Sequence, residues 1–329
     1  MDAMPRVPDE LVGVQAMVAE ALPRVRACIE DALASPLPVA SDLVSHLGAF
    51  HGKMLRPVLC LASSLACGGA IDDDAVRAAA TVELVHLATL VHDDVLDEAD
   101  LRRRVPTINR LRGNEAAVIL GDYVIASAFE VCSRVEDRRA SLIVARASME
   151  MAAGELLQLH HREHLWLDEP TYYAILERKT GELIAASCVL GGVVAGAGQG
   201  MLDCLRSYGV ALGVAFQVQD DLLDLTGSEG VVGKSVGKDA EKGKLTLPVI
   251  HHLAHAAPEA RGATLDLLRT HAEAGRLRAA LDSTGSIEHA RAEARRLATQ
   301  AVDSTASLPD SAARQYLRFL AHAATHRER

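Results

Sequence analysis

Two short runs of carboxylates share one spacing along this 329-residue chain. The first is Asp93-Asp94-Val95-Leu96-Asp97, with Asp100 just beyond it; the second is Asp220-Asp221-Leu222-Leu223-Asp224. Residues four apart share one face of a helix, so Asp93 and Asp97 point the same way, Asp94 stands to the side, and the second run repeats the arrangement. Like charges at that spacing repel by about a few tenths of a kcal/mol per pair, so an otherwise apolar helix does not carry them for its own stability. A cation is expected to compensate. Magnesium suits the donor set, because this hard ion takes one or two carboxylates and fills its octahedron with waters and substrate phosphates. Two such helix ends facing each other would cage a diphosphate and several ions. The plainer reading is a pair of solvated acidic helix ends, which the recurrence of the same motif argues against.

The cations fall into separate sets. Lys53 and Arg56 share a helical face beside Pro57, and Arg102, Arg103 and Arg104 follow the first acidic run. Lys179-Thr180 lies in a helical stretch, and Lys234 and Lys244 flank the loop after the second run. Each alone reads as a solvated surface charge. Together, arginine forks that match phosphate oxygens and lysine point charges beside two acidic clusters suit two anionic substrates better than one. Two other signals carry less. His160-His161-Arg162-Glu163-His164 lacks the H-E-x-x-H order and reads as a polar helix end, and Gly227 to Gly237 lacks the glycine spacing of a P-loop.

The elements that position these residues are helices. The chain is 49% hydrophobic but only 3% aromatic, and Ala, Leu and Val in excess suit close-packed helices better than a β-sandwich. An all-α fold is expected, as one domain over residues 1–329 with residues 1–10 as a flexible arm. Periodicity and breakers place helices at about 11–34, 43–66, 73–95, 115–135, 140–161, 170–195 and 201–225. A polar loop at 226–243 and three or four shorter helices complete the chain. The 73–95 stretch is apolar nearly all round, the mark of a helix enclosed by others.

Net charge is −10 with no run of five or six basic residues, so no phosphate-backbone footprint is apparent and no nucleic-acid partner is expected. Cys28, Cys60, Cys67, Cys132, Cys188 and Cys204 include no C-x-x-C pair and read as buried thiols of a reducing compartment. Asp2, Pro5, Pro8, Asp9 and Glu10 interrupt any signal peptide, so a cytoplasmic protein is expected. The most apolar stretch, 183–198, is short for a membrane span and reads as a buried central helix. No transmembrane segment is expected, which leaves only peripheral membrane contact during product release.

Several ordered stretches carry a family resemblance. They are Gly52-Lys53-Met54-Leu55-Arg56-Pro57, then Glu83 to His92 leading into the first acidic run, Arg102-Arg103, and Gly121-Asp122-Tyr123. Gly154-Glu155 with Gln158, Lys179-Thr180, Phe216-Gln217-Val218-Gln219-Asp220-Asp221, and Gly233-Lys234 through Gly243-Lys244-Leu245-Thr246-Leu247-Pro248 follow. Over residues 45–250 the chain resembles the trans-isoprenyl diphosphate synthase (polyprenyl synthetase) family, most closely its medium- and long-chain members. The resemblance implies a single helical bundle of isoprenoid synthase type around a central cavity, acting as a homodimer. It implies a magnesium-dependent transferase that condenses isopentenyl diphosphate with an allylic diphosphate.

By the same resemblance Asp93, Asp97 and Asp220 are direct metal ligands, supported by Asp94, Asp221 and Asp224. Arg102, Lys179, Lys234 and Lys244 grip the allylic diphosphate, with Gln158 near it or its metals. Lys53, Arg56, His86 and Arg103 hold isopentenyl diphosphate, and Thr180 and Gln217 line the reaction centre. The chain departs from the family pattern at His51, Met54, Arg104 and Ser235; Met54 replaces a usual arginine, which weakens the expected isopentenyl diphosphate site. A class I terpene cyclase would pair the first motif with an Asn/Ser/Glu motif, and a silent partner subunit would have lost acidic ligands.

If a diphosphate sits at Asp93 and Asp97, the growing tail runs back along the helix past Thr89 and Ala88, then Val85. One turn rises about 5.4 Å, close to one isoprene unit. Short-chain members of the family close the tunnel with an aromatic residue there; here Ala and Thr leave it open, with Met149 or Met151 as a deeper floor. A product beyond geranylgeranyl is expected over a geranylgeranyl or farnesyl one. The alternative is that Ala88 and Thr89 simply pack against a neighbouring helix.

Overall fold

The architecture follows from a computed structural model that describes residues 6–47, 52–102, 105–162, 166–226, 245–270 and 274–325. The helical segments expected from periodicity appear as α1 (Val12–Leu33), α3 (Leu55–Ala66), α4 (Asp73–Leu96), α6 (Asn114–Ser133), α7 (Arg139–His161) and α10 (Gln199–Thr226). Pro38, expected as a breaker, instead opens α2 (Pro38–Leu47), where its missing N–H costs nothing and its fixed φ suits a first helical position. Asp9–Leu11 form a 3₁₀ turn that runs directly into α1. The stretch read as one helix at 170–195 is three pieces: α8 (Glu169–Leu176), a π turn (Glu177–Gly181) and α9 (Glu182–Val194). The tail holds five helices rather than three or four: α11 (Leu247–His255), α12 (Pro258–Arg269), α13 (Ala274–Asp282), α14 (Ser286–Ser304) and α15 (Ala312–Thr325).

Among the described residues the only strands are β1 (Leu101–Arg102) and β2 (Val105–Pro106), paired antiparallel with Arg102 opposite Val105. A short helix, α5 (Ile108–Arg112), follows.

The helices share two hydrophobic cores. The first joins α1, α3, α4, α6, α7, α9 and α15; the second joins α8, the C-terminal part of α10, and α11 to α14. Helix α4 is enclosed as expected, with Val82, Leu84, Val85 and Ala88 wholly inaccessible, and Asp72 caps its start by accepting from the Ala75 amide at 2.9 Å. Helix α9 is buried along almost its whole length, so the apolar 183–198 stretch is interior as far as the helix end at Val194, beyond which Gly196 and Gly198 are exposed. By length and composition α6 is the one helix among the described residues that is apolar enough to cross a membrane. It buries Ala117, Leu120, Val124 and Val131 and leaves Val118, Ile119 and Phe129 outside. All six cysteines are free thiols, and Cys60, Cys132 and Cys188 are buried.

Candidate active site

Both acidic motifs occupy the last turns of long buried helices: α4 ends at Leu96 and α10 at Thr226. Helix C-termini already carry partial negative charge, so six carboxylates placed there oppose the helix dipole as well as one another. Asp94 and Asp221 are each 2% exposed. Asp93, Asp220 and Asp224 are half-buried, and Asp97 is exposed at the C-cap of α4.

The protein itself holds the second carboxylate of each motif. The β1–β2 hairpin folds Arg102 back so that its Nε donates to both Asp94 oxygens at 3.0 Å and its Nη2 to Oδ1 at 2.8 Å. Asn109 Nδ2 donates to the Asp94 and Ala99 carbonyls at 3.2 Å, which pins the hairpin to the helix end. At the other motif, Asp221 Oδ2 accepts from the Tyr172 hydroxyl at 2.7 Å and Oδ1 from Gln217 Nε2 at 3.0 Å. Burial raises the Asp93 carboxyl to about 6, the nearby Lys179 draws it down, and Glu155 and Asp97 push it up. That carboxylate lacks enough positive charge, which is the condition a divalent cation relieves. Among the described residues no three Asp, Glu, His or Cys side chains converge on one point.

The π turn joins the two motifs. Lys179 Nζ contacts the Glu155 carboxylate and donates to Gln158 Oε1 at 3.0 Å on α7, close enough to influence Asp93. Its chain neighbour Thr180 turns the other way and donates to Gln217 Oε1 at 3.1 Å on α10. Glycine makes the approach possible: a Cβ at Gly154 would meet the Arg178 Cβ at 2.7 Å, and one at Gly213 would meet the Gly181 Cα at 2.7 Å.

A second cationic group lies along α3 and α4. Arg56 is half-buried beside Glu83; desolvation lowers its pKa while Glu83 acts to raise it. Its Nε has no hydrogen-bond acceptor, so a buried donor is available to an anion. His86 is half-buried on α4, two turns before Asp93, and Lys53 is exposed ahead of α3. Met54 adopts a left-handed backbone, φ 51°. Its buried sulfur accepts from Arg26 Nε at 3.3 Å, so this departure from the family pattern faces α1 and the core.

Val85 and Ala88 are fully packed in the first core, and the Thr89 hydroxyl donates to the His86 carbonyl at 2.8 Å. Met151 is buried beneath them in the same core, whereas Met149 is 63% exposed on the outer face of α7. Met149 is therefore no interior floor in a single chain. Arg103, Arg104, Lys234, Lys244, His51 and Ser235 lie outside the described residues. Sequence reasoning missed the roles of Tyr172, Asn109 and Glu155. Glu155 was signalled by its place in the Gly154-Glu155 stretch, but the other two depend on distant contacts.

Known proteins share this arrangement. A profile of the polyprenyl synthetase family matches residues 38–283. The octaprenyl diphosphate synthase of Escherichia coli (strain K12) is 33% identical over 327 residues, covering 97% of this chain and 99% of the relative. A decaprenyl diphosphate synthase from Rhodobacter capsulatus superposes with a TM-score of 0.88 at 36% identity, covering 98% of this chain and 99% of that one. The polyprenyl synthase of Caulobacter crescentus CB15, solved with calcium and isoprenyl diphosphate, superposes with a TM-score of 0.88 at 34% identity, covering 98% and 100%. The two acidic helix ends, the π turn between them and this end-to-end likeness make the chain a member of the polyprenyl synthetase family of prenyltransferases.

Proposed function

We propose that the chain condenses isopentenyl diphosphate with an allylic diphosphate, head to tail, and makes a medium- or long-chain all-trans polyprenyl diphosphate with magnesium as its cation. The observation that carries this reading is the π turn, whose adjacent Lys179 and Thr180 reach toward the first and second acidic motifs respectively. One site then holds a metal-bound diphosphate beside a reaction centre.

Asp93, Asp97 and Asp220 are the direct ligands in this reading, and Asp94, Asp221 and Asp224 support them. When bound, the cations act as Lewis acids that draw charge from the leaving diphosphate. Lys179, Gln158 and Arg102, with Lys234 and Lys244, hold that diphosphate by charge and hydrogen bonds. Lys53, Arg56, His86 and Arg103 hold isopentenyl diphosphate, for which the unaccepted Arg56 Nε is support. The allylic C–O bond breaks with its electron pair leaving on diphosphate, and oxygen dipoles of Thr180 and Gln217 face the positive charge that develops. The isopentenyl double bond attacks, and the proton it then sheds goes to the released diphosphate.

Chain length is supported by small, buried Ala88 at the first turn behind Asp93 and by the octaprenyl and decaprenyl products that name two of the relatives. The partner in solution is a second copy of this chain. Leu142, Met149 and Leu156 are exposed and repeat every seven residues along α7, and Val118, Ile119 and Phe129 of α6 are exposed as well. Exposed apolar residues at that spacing are suited to helix-on-helix contact. The protein works in the cytoplasm.

Mass spectrometry of products formed from labelled isopentenyl diphosphate and primers of several lengths tests the proposal. Products longer than geranylgeranyl diphosphate are expected, and Ala88→Phe should shorten them while primer is still consumed. A wild-type protein that stops at farnesyl or geranylgeranyl diphosphate, or a variant with unchanged products, refutes the chain-length reading.

A further inference from the structure

Tyr172 lies in the second core, 2% exposed, and its hydroxyl donates to Asp221 Oδ2 at 2.7 Å. Asp221 Oδ1 accepts from Gln217 Nε2, and Gln217 Oε1 accepts from Thr180 Oγ1. An ionised carboxylate only accepts hydrogen bonds, whereas a carboxamide has one donating and one accepting end. Asp221 therefore decides which way Gln217 faces, with nitrogen toward the acid and oxygen toward Thr180. The Tyr172 hydroxyl holds the acid from its far side.

The π turn explains how one helical segment supplies both ends of this chain of bonds. Tyr172 and Thr180 are eight residues apart, which on a regular α-helix leaves them about 80° apart around the axis. The extra residue of a π turn makes the spacing behave like seven and brings them within about 20°. Both then face α10, Tyr172 against Asp221 and Thr180 against Gln217 one turn earlier.

We infer that Tyr172 is a positioning residue for the condensation: through Asp221 it fixes the Gln217 carboxamide against Thr180 at the reaction centre. This rests on the proposed placing of Thr180 and Gln217 there. It differs from a core-packing role in acting through a single side chain, and a double-mutant cycle reads that difference. Steady-state rates are measured for wild-type protein, Tyr172→Phe, Gln217→Ala and the double variant, with saturating magnesium and both substrates varied. Tyr172→Phe keeps the ring and should lower kcat about tenfold, the loss expected for one hydrogen bond to a charged group. KM for isopentenyl diphosphate should stay within about twofold. In the Gln217→Ala background the same change should cost less than about twofold, because the group it positions is gone. A wild-type kcat for Tyr172→Phe overturns the inference, as does an equal loss in both backgrounds, which is also what partial unfolding would give. If Gln217→Ala itself retains wild-type kcat, the reaction-centre reading beneath the inference fails instead.

Discussion

The two acidic motifs have matching sequences and stand on different foundations. The first rises from the α1–α4–α6 core and is held by charge: Arg102 grips Asp94 with a guanidinium fork. The second rises from the α8–α14 core, and its buried acid accepts from two neutral groups, the Tyr172 hydroxyl and the Gln217 amide. Behind it, His251 is stacked between His255 and His289 at 4.1 Å on either side. His251 Nδ1 lies 2.9 Å from Ser286 Oγ, and His252 Nδ1 lies 2.8 Å from Thr284 Oγ1. One carboxylate spacing is thus held in place by two kinds of chemistry, which should answer differently to substitution, salt and pH.

The largest effect should be the same on both sides. In the proposed reading Asp93→Ala and Asp220→Ala each remove a ligand of the cations that would assist ionisation, so kcat should fall by about a thousandfold or more. A near wild-type rate for either at saturating magnesium breaks the symmetry of the two motifs.

The next effect should separate the sides. Arg102→Ala leaves the buried Asp94 carboxylate without its fork, a kind of loss that costs about 3–5 kcal/mol in buried pairs. About a hundredfold fall in kcat/KM for the allylic substrate and a lower melting temperature are expected. Arg102→Lys should recover little, since an ammonium cannot reproduce the bidentate fork. If Arg102→Ala costs no more than Tyr172→Phe, the contrast between a charged and a neutral clamp is wrong.

A smaller effect should stay within the first side. Arg56→Ala or His86→Ala should raise KM for isopentenyl diphosphate about tenfold with less change for the allylic primer, because that group of residues sits along α3 and α4. Equal changes for both substrates would merge the two diphosphate sites.

The smallest effects should appear as pH dependence of stability in metal-free protein, with opposite signs. Asp93 has its carboxyl raised to about 6, so its contribution is full at low pH and is lost as pH rises through 6. His251 is lowered to about 4, by burial first and then by His289, His255 and His252. Its contribution is full above pH 6.5 and is lost as pH falls toward 4. Melting curves between pH 4.5 and 8 should therefore show Asp93→Asn gaining stability relative to wild type at the alkaline end, and His251→Gln gaining it at the acid end. Shifts of the same sign would show that the two sides do not titrate independently. Protons and cations compete for Asp93, so adding magnesium with a diphosphate should stabilise the protein more at pH 7.5 than at pH 5.5.

Much of this was legible in the residues. The burial of α4 follows from its unbroken apolar circumference, and the acidic motifs and the Lys53–Arg56 pair from residue type and spacing, while His86 came only from the family resemblance. The π turn was not legible, because one extra residue within 170–195 leaves the apolar pattern readable as a single helix. The tail was undercounted because α12 to α14 are polar on most of their surface and their breaks are short. Tyr172 escaped notice because its partner lies 49 residues away, a distance that only tertiary packing closes. Arg102 carried the right charge for a diphosphate, yet the hairpin that turns it onto Asp94 is too short to leave an alternating pattern. Met149 and Met151 are two residues apart, and only their place around α7 separates surface from core.

The π turn also sets which changes in chain length this protein can absorb. A surface loop gains or loses residues at the cost of a little closure entropy, because its ends stay where the helices put them. Between Tyr172 and Thr180 the residue count acts as a frame. Inserting one more residue there would rotate everything on one side of the insertion by about 100° relative to the other, whereas deleting one would restore an ordinary helix with Tyr172 and Thr180 seven apart, still within about 20° of one another. After such an insertion Lys179 could not face α7 while Tyr172 still met α10. Insertions in this segment should therefore be rejected even where many single substitutions, and the loss of the one extra residue, are accepted.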